Sequence, residues 1–476
     1  MTKKYHVFFI SNPEIGTLAP TVEFARRLVR RDPRFSATLL LITLPHRPIL
    51  NSYIQSRAPA TNGGEEGPPA LKFLHLPVVD PPSPADHQQP SGLGSISLLM
   101  EKHKPHVKHA IHELRLADSA PVAALFIDLF STPMIDVAGE LGIPCYLFFT
   151  SPASCLGFML HLPTLEDQLA TEFAHSDSGL IAPINPATEL HIPGFANPVP
   201  PSLLPTVVLK RKQGYSWFLQ HARRYRETKG IVVNTFEELE PFAVRSVSTS
   251  GSPPVFPVGP IVDLSGPAEW HPDRVGQERV LKWLDDQPRS SVVFLCFGSM
   301  GSLSEAQIRE IALGLEWTGY RFLWSIREPP KGKLNLPGEY SDAEVEAILP
   351  DGFLDRTAKI GLVCGWVPQV SVLAHQAIGV FVSHCGWNSV LESVWHGVPV
   401  AAWPVYAEQQ MNAFQLVKEL GLAVEIRLDY REEEAGGELV LAEELVEAIT
   451  NLMEGSDEEG LKPGRIETGL DKIQTQ

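Results

Sequence analysis

The sequence is poor in the features that mark secreted, membrane-spanning and nucleic-acid-binding proteins. Its 476 residues include only five cysteines, an odd number scattered mostly within apolar runs, which favours reduced core thiols over disulfides. It contains no apolar run of membrane-spanning length and no secretory signal pattern at its start. Lysines and arginines number 39 against 56 aspartates and glutamates, and the net charge of −17 argues against a nucleic-acid partner. These absences predict a cytoplasmic protein with no membrane span.

Patterns that bind metal ions are also scarce. The chain has no Asp-x-Asp motif, so a metal-held diphosphate would lack its usual ligands. Histidines recur at every third residue at His103, His106, His109 and His112, but no carboxylate or cysteine pattern accompanies them and Pro105 interrupts the segment. We therefore expect an ordinary helix there, and neither a metal ion nor another cofactor.

The order of apolar and polar stretches predicts an α/β fold. With 44% apolar and 20% charged residues, the chain is long enough for two domains with full cores. Short apolar runs that read as strands alternate with polar helical stretches in both halves. The predicted strands are Val7–Ile10, Ala37–Thr43, Ala123–Asp128, Cys145–Thr150, Ile231–Asn234, Val292–Gly298, Phe322–Ile326, Leu362–Cys364, Val380–Ser383 and Val398–Trp403.

This alternation predicts two Rossmann-like, doubly wound parallel-sheet domains that face a cleft, with ligands beyond the carboxyl ends of the strands. We assign residues 1–250 to an amino-terminal domain and the Pro- and Gly-rich residues 251–275 to a linker. Residues 276–455 form the carboxyl-terminal domain. Residues 456–476 form a tail in which glycine, proline and scattered charge leave no apolar helical stripe.

One segment of the second domain suits an anionic ligand. A buried strand, Gly379–Ser383, passes through His384 and Gly386 into a helix predicted over Asn388–His396. A strand that turns through glycine into a helix directs the free N–H groups and the positive end of the helix dipole at whatever lies beyond the strand. The sequence therefore predicts a diphosphate site here, with short polar donors at the helix start.

The flanks of this segment suit a base and a sugar. Upstream, Gly365, Trp366, Val367 and Gln369 offer an indole face for a flat base and an amide for its edge. Downstream, the segment Pro404–Gln409 ends an apolar run with Tyr406, a carboxylate at Glu408 and an amide at Gln409, which suit sugar hydroxyls.

The stretch from Trp366 to Gln409 resembles along its whole length the signature box of plant family 1 UDP-glycosyltransferases. The resemblance continues in NTFEELE at Asn234–Glu240, VVFLCFGSMGS at Val292–Ser302 and STPMIDVA at Ser131–Ala138, and is closest to the branch that acts on flavonoids, phenolics and terpenoids. It implies the GT-B type of two-domain fold and inverting transfer of a hexose from a UDP-sugar to a small-molecule acceptor. It also implies that residues 1–250 bind the acceptor and residues 276–455 bind the donor. We expect a monomer.

The resemblance also implies roles for single residues. Trp366 would stack on uracil, Gln369 would meet the base or ribose, and Glu392 would hold the ribose. Glu408 and Gln409 would hold the sugar, and glutamine at the last position points to glucose. The diphosphate would contact His384, Trp387, Asn388 and Ser389, with Ser299 nearby; Gly365, Val367, Gly386 and Tyr406 complete the predicted donor site.

One position departs from the family in a way that affects the chemistry. The first strand leads through the loop Ser11–Thr17 into a helix predicted to begin around Pro20. The family loop ends Gly-His, and that histidine is the general base, oriented by an aspartate that corresponds here to Asp128. This chain has Thr17 instead, and an alcohol has no basic form near neutral pH. Losing a positioned base typically costs about 10²- to 10⁴-fold in rate.

Three interpretations of Thr17 remain open from the sequence. Asp128 accepts the proton of an acidic acceptor, directly or through a water; Glu14 substitutes as the base; or the chain transfers poorly or to an unusual carbon or nitrogen nucleophile. We favour the first. An alternative from another class is a UDP-sugar-binding protein with weak or no transferase activity. For the acceptor pocket, Phe148–Phe158 and His191–Pro205 are candidate walls.

Overall fold

The computed structural model describes residues 3–44, 47–57, 70–80, 92–117, 120–173, 189–211, 214–249, 251–264, 271, 273–330, 337–432 and 438–455. The chain divides into two compact units. The first contains the amino-terminal part, Ile192–Gly194 and Lys210–Asp263. The second contains Asn185–His191, Phe195–Leu209 and the chain from Leu264 onward. The predicted tail, residues 456–476, lies outside the described residues.

The first unit is built on a parallel sheet. Its strands are β1 (Tyr5–Ile10), β2 (Phe35–Leu41), β3 (Leu71–His75), β4 (Val122–Ile127), β5 (Cys145–Phe149), β6 (Ile231–Val233) and β7 (Val255–Pro257). Their order across the sheet is β3-β2-β1-β4-β5-β6-β7, and all neighbours pair in parallel.

The second unit repeats the arrangement. Its strands are β8 (Val292–Cys296), β9 (Arg321–Ser325), β10 (Gly361–Cys364), β11 (Ile378–Ser383), β12 (Val400–Ala402) and β13 (Ala423–Glu425). They run parallel in the order β10-β9-β8-β11-β12-β13. The central strand β8 is wholly buried, as expected for a sheet that helices cover on both faces.

Helices connect the strands in both units. In chain order they are α1 (Ile15–Arg31), α2 (Pro48–Arg57), α3 (Gly92–Ala117), α4 (Met134–Leu141), α5 (Ala153–Phe173), α6 (Thr206–Lys210), α7 (Tyr215–Arg224), α8 (Pro241–Thr249), α9 (Arg274–Asp285), α10 (Glu305–Thr318), α11 (Asp342–Ile348), α12 (Phe353–Thr357), α13 (Gln369–Leu373), α14 (Trp387–His396), α15 (Gln409–Phe414) and α16 (Ala442–Glu454). Short 3₁₀ turns span Pro201–Leu203 and Tyr225–Glu227, and a π-helical turn, Gln415–Glu419, extends α15. None of the described helices is both long enough and apolar enough to cross a membrane.

The two sheets confirm the predicted fold class of two doubly wound parallel-sheet domains. In each sheet the strand order reverses once, between β1 and β4 in the first unit and between β8 and β11 in the second. Crossovers on the two sides of such a point cover opposite faces, so the loops diverge and leave room at the carboxyl ends of the strands. Ligand-binding groups are therefore expected after Ile10, Ile127, Cys296 and Ser383.

The first helix begins earlier than we predicted from the sequence. The prediction placed its start around Pro20, but α1 begins at Ile15 and Pro20 lies inside it. The first turn forms because the N–H of Thr17 donates to the Glu14 carbonyl at 3.1 Å. A proline this early in a helix forfeits one backbone bond without ending the helix. Thr17 consequently belongs to the first turn of α1 and not to the preceding loop.

The histidine-rich segment is also more regular than its proline suggested. Pro105 lies inside α3, which runs without interruption from Gly92 to Ala117. His103 is 1% exposed, and its Nδ1 is 2.8 Å from the Leu99 carbonyl oxygen, whereas His109 and His112 are exposed. Among the described residues, no group of three or more histidine, cysteine or acidic side chains is arranged to hold a metal ion.

Candidate functional site

In the second unit, His384 follows β11, and two glycines make room for its ring. The imidazole is 5% exposed, and a Cβ atom added to Gly298 or to Gly386 would lie 2.5 Å from its Nε2. Gly298 also has a left-handed backbone, with φ +76°. Burial lowers the pKa of His384 to about 4, so the ring is neutral at physiological pH. Within the described residues Nδ1 has no hydrogen-bond partner, as expected of a group that serves a ligand.

The turn that follows β11 is strained and tightly held. Cys385 has a left-handed backbone, with φ +61°, which is uncommon for a residue with a side chain. Its N–H donates to the Ser383 hydroxyl at 3.1 Å, and its carbonyl accepts from the Asn412 side chain at 3.0 Å. The turn delivers the chain to Gly386, the N-cap of α14, which has no side chain to occupy the first N–H groups of the helix.

The first turns of α14 carry a connected set of polar side chains. Nε2 of Gln369, at the start of α13, donates to Ser389 Oγ at 2.8 Å and to Glu392 Oε2 at 2.7 Å. The structure thus brings together three residues predicted for the base, diphosphate and ribose. Trp387 is buried at the start of the helix, and Asn388 follows it in the first turn.

The predicted base-stacking residue lies on the loop after β10. Trp366 is partly exposed, and its backbone N–H donates to Glu339 Oε1 at 3.3 Å. The imidazole of His271 stacks on the indole with ring centroids 4.0 Å apart and an interplanar angle of 11°. A Cβ atom on Gly365 would lie 3.0 Å from Glu339 Oε2, and Val367 is buried. The loop is therefore held by residues that lie far from it in the sequence.

The predicted sugar-binding residues surround the start of α15. Gln409 is 3% exposed, and its Oε1 accepts from the N–H groups of Val405 and Tyr406, both at 3.0 Å. Its carbonyl end thus supports the loop, and its amide nitrogen remains as a donor. Ala407 has φ +59°, which turns the chain so that Glu408 precedes the helix as its N-cap residue.

Two further predicted residues lie beside His384. The Tyr406 ring centroid is 6.3 Å from that of His384. Ser299 is on the loop after β8, next to the glycine that contacts the imidazole. Ser299 thus lies at the point where the strand order reverses, and Tyr406, on the loop after β12, lies near the same imidazole.

In the first unit, Asp128 joins the loops that follow β1 and β4. It is 1% exposed; Oδ1 accepts from Phe130 N at 2.7 Å and Ser131 Oγ at 2.9 Å, and Oδ2 accepts from Asn12 N. Burial raises the pKa of this carboxyl, and the hydrogen bonds oppose that shift. Asp128 is therefore an anchor whose two oxygens are already engaged.

Thr17 and Glu14 are both tied to their own loop. The Thr17 hydroxyl lies 3.0 Å from Asn12 Oδ1 and 3.0 Å from the Glu14 carbonyl oxygen, either of which accepts its proton. Glu14 Oε1 is 2.6 Å from Nη1 of Arg47, whose side chain is 8% exposed. The Glu14 carboxylate is thus held in an ion pair with a buried guanidinium, which disfavours the interpretation that Glu14 replaces the family histidine.

A buried histidine, His221, holds the turn that follows Asp128 and contains Thr132. His221 Nδ1 is 2.7 Å from Thr132 Oγ1, and its Nε2 is 2.8 Å from Ser97 Oγ. Because the Ser97 hydroxyl donates to the Leu93 carbonyl at 2.9 Å, its oxygen accepts from Nε2, and Thr132 donates to Nδ1. Burial lowers the pKa of His221 to about 3, in agreement with a neutral ring.

Some site-supporting residues were missed from the sequence. Asn412 could have been found from its spacing, since it lies one helical turn after Glu408. No such spacing pointed to His271 or to Glu339. His271 lies within the predicted linker, and Glu339 lies 27 residues before Trp366. Of the candidate acceptor walls, the stretch Phe148–Phe158 begins and ends with residues that are at most 1% exposed. The stretch Phe195–Leu209 groups with the second unit.

The two neutral histidines make a prediction about pH. His221 and His384 have pKa values lowered to about 3 and about 4, whereas an unfolded histidine titrates near about 6.5. The unfolded chain therefore binds more protons below about pH 6.5, and stability should fall as the pH drops from there towards 4, by about 1.4 kcal/mol per pH unit for each histidine. Urea unfolding at several pH values should show a smaller loss in His221→Gln than in the parent. The exposed His112→Gln should retain the parent's loss, and an unchanged slope in His221→Gln would contradict the prediction.

Comparison with known proteins agrees with this geometry. The family model described as UDP-glucoronosyl and UDP-glucosyl transferase matches residues 262–442. UDP-glycosyltransferase 43 of Pueraria montana var. lobata is 52% identical over 462 residues, covering 96% of this chain and 92% of the relative. A protein of Fragaria ananassa named putative UDP-glucose flavonoid 3-O-glucosyltransferase 3 is 47% identical, with 95% and 92% covered.

Solved structures give the same result. The crystal structure of Medicago truncatula UGT71G1 complexed with UDP-glucose superposes with a TM-score of 0.83 at 39% identity, covering 99% of this chain and 94% of the other. Identity of this extent over nearly the whole length confirms the resemblance in the signature segment and the GT-B type of fold. The chain belongs to the plant family 1 UDP-glycosyltransferases and is a glycosyltransferase that uses a UDP-sugar as its donor.

Proposed function

We propose that the enzyme transfers glucose from UDP-glucose to an acidic phenolic hydroxyl of a small aromatic acceptor such as a flavonoid, with inversion at the anomeric carbon. The observation that carries the proposal is the hydrogen-bonded set Gln369, Ser389 and Glu392 beside the start of α14. In the first unit, the position of the family's histidine holds Thr17, which has no basic group. Flavonoid glucosyl transfer is the activity named for the Fragaria relative.

The donor is held by groups of different chemistry along the second unit. Trp366 offers its indole to the uracil, and Glu392 accepts from ribose hydroxyls, since a carboxylate has more lone pairs than the one that Gln369 occupies. The amide nitrogen of Gln409 donates to a glucose hydroxyl because its oxygen already accepts from the loop backbone. Glu408, next to it, supplies an acceptor.

Backbone and side-chain donors of the second unit stabilise the leaving diphosphate. The start of α14 presents N–H groups and the positive end of its dipole, which favour negative charge. His384 is neutral and adds a hydrogen bond from its ring rather than a full charge. Such prearranged donors gain strength where water is excluded and need no reorganisation during the reaction.

The proton on the acceptor receives little help from the first unit. Thr17 cannot act as a base, and Glu14 is paired with Arg47. Asp128 is 1% exposed, and its two oxygens already accept from Asn12, Phe130 and Ser131. We therefore assign Asp128 a positioning role, in which it holds Asn12 and, through it, the Thr17 turn. An acceptor that ionises readily compensates for the missing base.

This mechanism predicts that acceptor acidity controls the rate. With UDP-glucose and a series of phenols of graded pKa at neutral pH, the parent's rate should rise as the pKa of the phenol falls towards the working pH. Thr17→His should raise transfer to weakly acidic phenols by about 10²- to 10⁴-fold and flatten this dependence, because a base then takes the proton. Product formation measured by chromatography provides the readout.

Thr17→Val is the matched control, because it keeps the shape and removes the hydroxyl. It should retain transfer to acidic phenols, and loss of that transfer would show that the hydroxyl takes part in the chemistry. A parent rate that does not depend on acceptor acidity would refute the proposal. A parent that binds UDP-glucose but transfers to no acceptor, carbon and nitrogen nucleophiles included, would be a donor-binding protein.

The contact between Gly298 and His384 makes a separate prediction. In Gly298→Ala the new methyl would lie 2.5 Å from Nε2, so the ring must move, and overpacking of this kind costs about 1–3 kcal/mol. UDP affinity measured by calorimetry should fall by about tenfold or more. Gly319→Ala is the control, since Gly319 has a similar left-handed φ of +66° with nothing within 4 Å of an added Cβ. Equal UDP affinities in the two variants would show that the close contact between Gly298 and His384 does not matter for donor binding.

A further inference from the structure

The rings of His271 and Trp366 stack on each other, and the two residues differ in their exposure to solvent. The rings are nearly parallel, 11° apart in orientation and 4.0 Å apart at their centroids. The imidazole is 3% exposed, whereas the indole is partly exposed. An aromatic ring has two faces, and the buried imidazole covers one face of the indole, which we call the inner face; the opposite face is the outer face.

His271 is held in place from the start of α9. Its Nδ1 accepts from the Asp273 N–H at 3.3 Å, and Asp273 in turn caps the helix by accepting from Gly276 N at 2.8 Å. Since Nδ1 accepts, the proton of the neutral ring is on Nε2, which lies 4.0 Å from Glu339 Oε1. The imidazole is therefore oriented by the hydrogen bond at Nδ1, and a carboxylate lies on the side of Nε2.

The Glu339 carboxylate lies beside both residues of the stacked pair. The same Oε1 that lies opposite His271 accepts from the Trp366 backbone N–H at 3.3 Å. Its other oxygen lies against Gly365, where an added Cβ would approach to 3.0 Å. Both the backbone and the indole of Trp366 are thus set by residues outside the signature segment.

We propose that His271 is a positioning residue of the base subsite, which backs the inner face of Trp366 so that the outer face is presented flat to the uracil of a uridine nucleotide. The inference rests on the proposed donor site and extends it to residues before α9. A ring on the inner face restricts the tilt of the indole, and a flat, restricted platform loses less freedom when a second ring stacks on it. His271 itself does not touch the ligand.

Calorimetric titration with UDP and with UMP tests this role in the full chain. His271→Ala should weaken both nucleotides by the same factor, about 5- to 20-fold, because they share the base but differ in phosphate. His271→Phe, which keeps a flat ring without the ring nitrogens, should restore affinity to within about threefold of the parent. In steady-state assays the KM for UDP-glucose should rise in His271→Ala while kcat at saturating donor stays within about twofold, because the base subsite is distant from the bond that breaks.

His375 offers a matched control. Its Nδ1 accepts from the backbone N–H two residues later, at Ala377, at 3.2 Å, and its Nε2 lies 3.1 Å from Asp285. In the described part of the chain it stacks on no aromatic ring, so His375→Ala should leave UDP affinity unchanged. Parent-like affinity in His271→Ala would overturn the proposal, and so would equal losses in His271→Ala and His271→Phe. Tighter binding in His271→Ala would show that the imidazole occupies the face that the base needs. A parent that binds neither nucleotide would instead refute the donor site itself.

Discussion

The divergence of neighbouring strands where the sheet order reverses sets the positions of His384 in the second unit and of Asp128 in the first. In the second unit Ser383 of β11 pairs with Cys296 of β8, so the two chains leave the sheet side by side and then separate. The imidazole of His384 occupies the space between them, and Gly298 and Gly386 approach it too closely to carry side chains. In the first unit β1 and β4 separate in the same way, and the Asp128 carboxylate joins the diverging loops. One topological constraint is thus met by a neutral ring in one sheet and by a carboxylate in the other.

The backbone after β11 shows how the structure maintains an unfavourable conformation. A left-handed cysteine persists only where its surroundings determine it, and here Ser383 and Asn412 bind its N–H and its carbonyl. Burial raises the pKa of the Cys385 thiol to about 12, so the side chain acts as a small apolar group and not as a nucleophile. The strain therefore serves the direction of α14 and the placement of its first N–H groups.

The parts that the sequence predicted well depend on local pattern. Apolar β-branched runs predicted strands such as β8 and β11, and α14 starts one residue before its predicted position at Asn388. The parts that it did not predict depend on partners far along the chain. The sequence does not show that Glu14 pairs with Arg47, or that the Gln409 oxygen accepts from the backbone of the turn before α15. Side-chain orientation of this kind is decided by three-dimensional neighbours, which periodicity does not encode.

The replacement of a basic histidine by Thr17 shifts a chemical requirement from the enzyme to its acceptor. A phenol with a pKa of about 10 is only about one part in 10³ ionised near pH 7, and lowering that pKa by about three units raises the ionised fraction to about one half. This gain of roughly 10²- to 10³-fold is comparable with the about 10²- to 10⁴-fold that a positioned base contributes. Part of it is offset, because a weaker base is also a weaker nucleophile, so the best acceptor has a pKa near the working pH. Aliphatic alcohols lie far outside that range, so the proposed mechanism, with Thr17 at the family's base position, Glu14 paired and Asp128 engaged, favours phenols by their acidity.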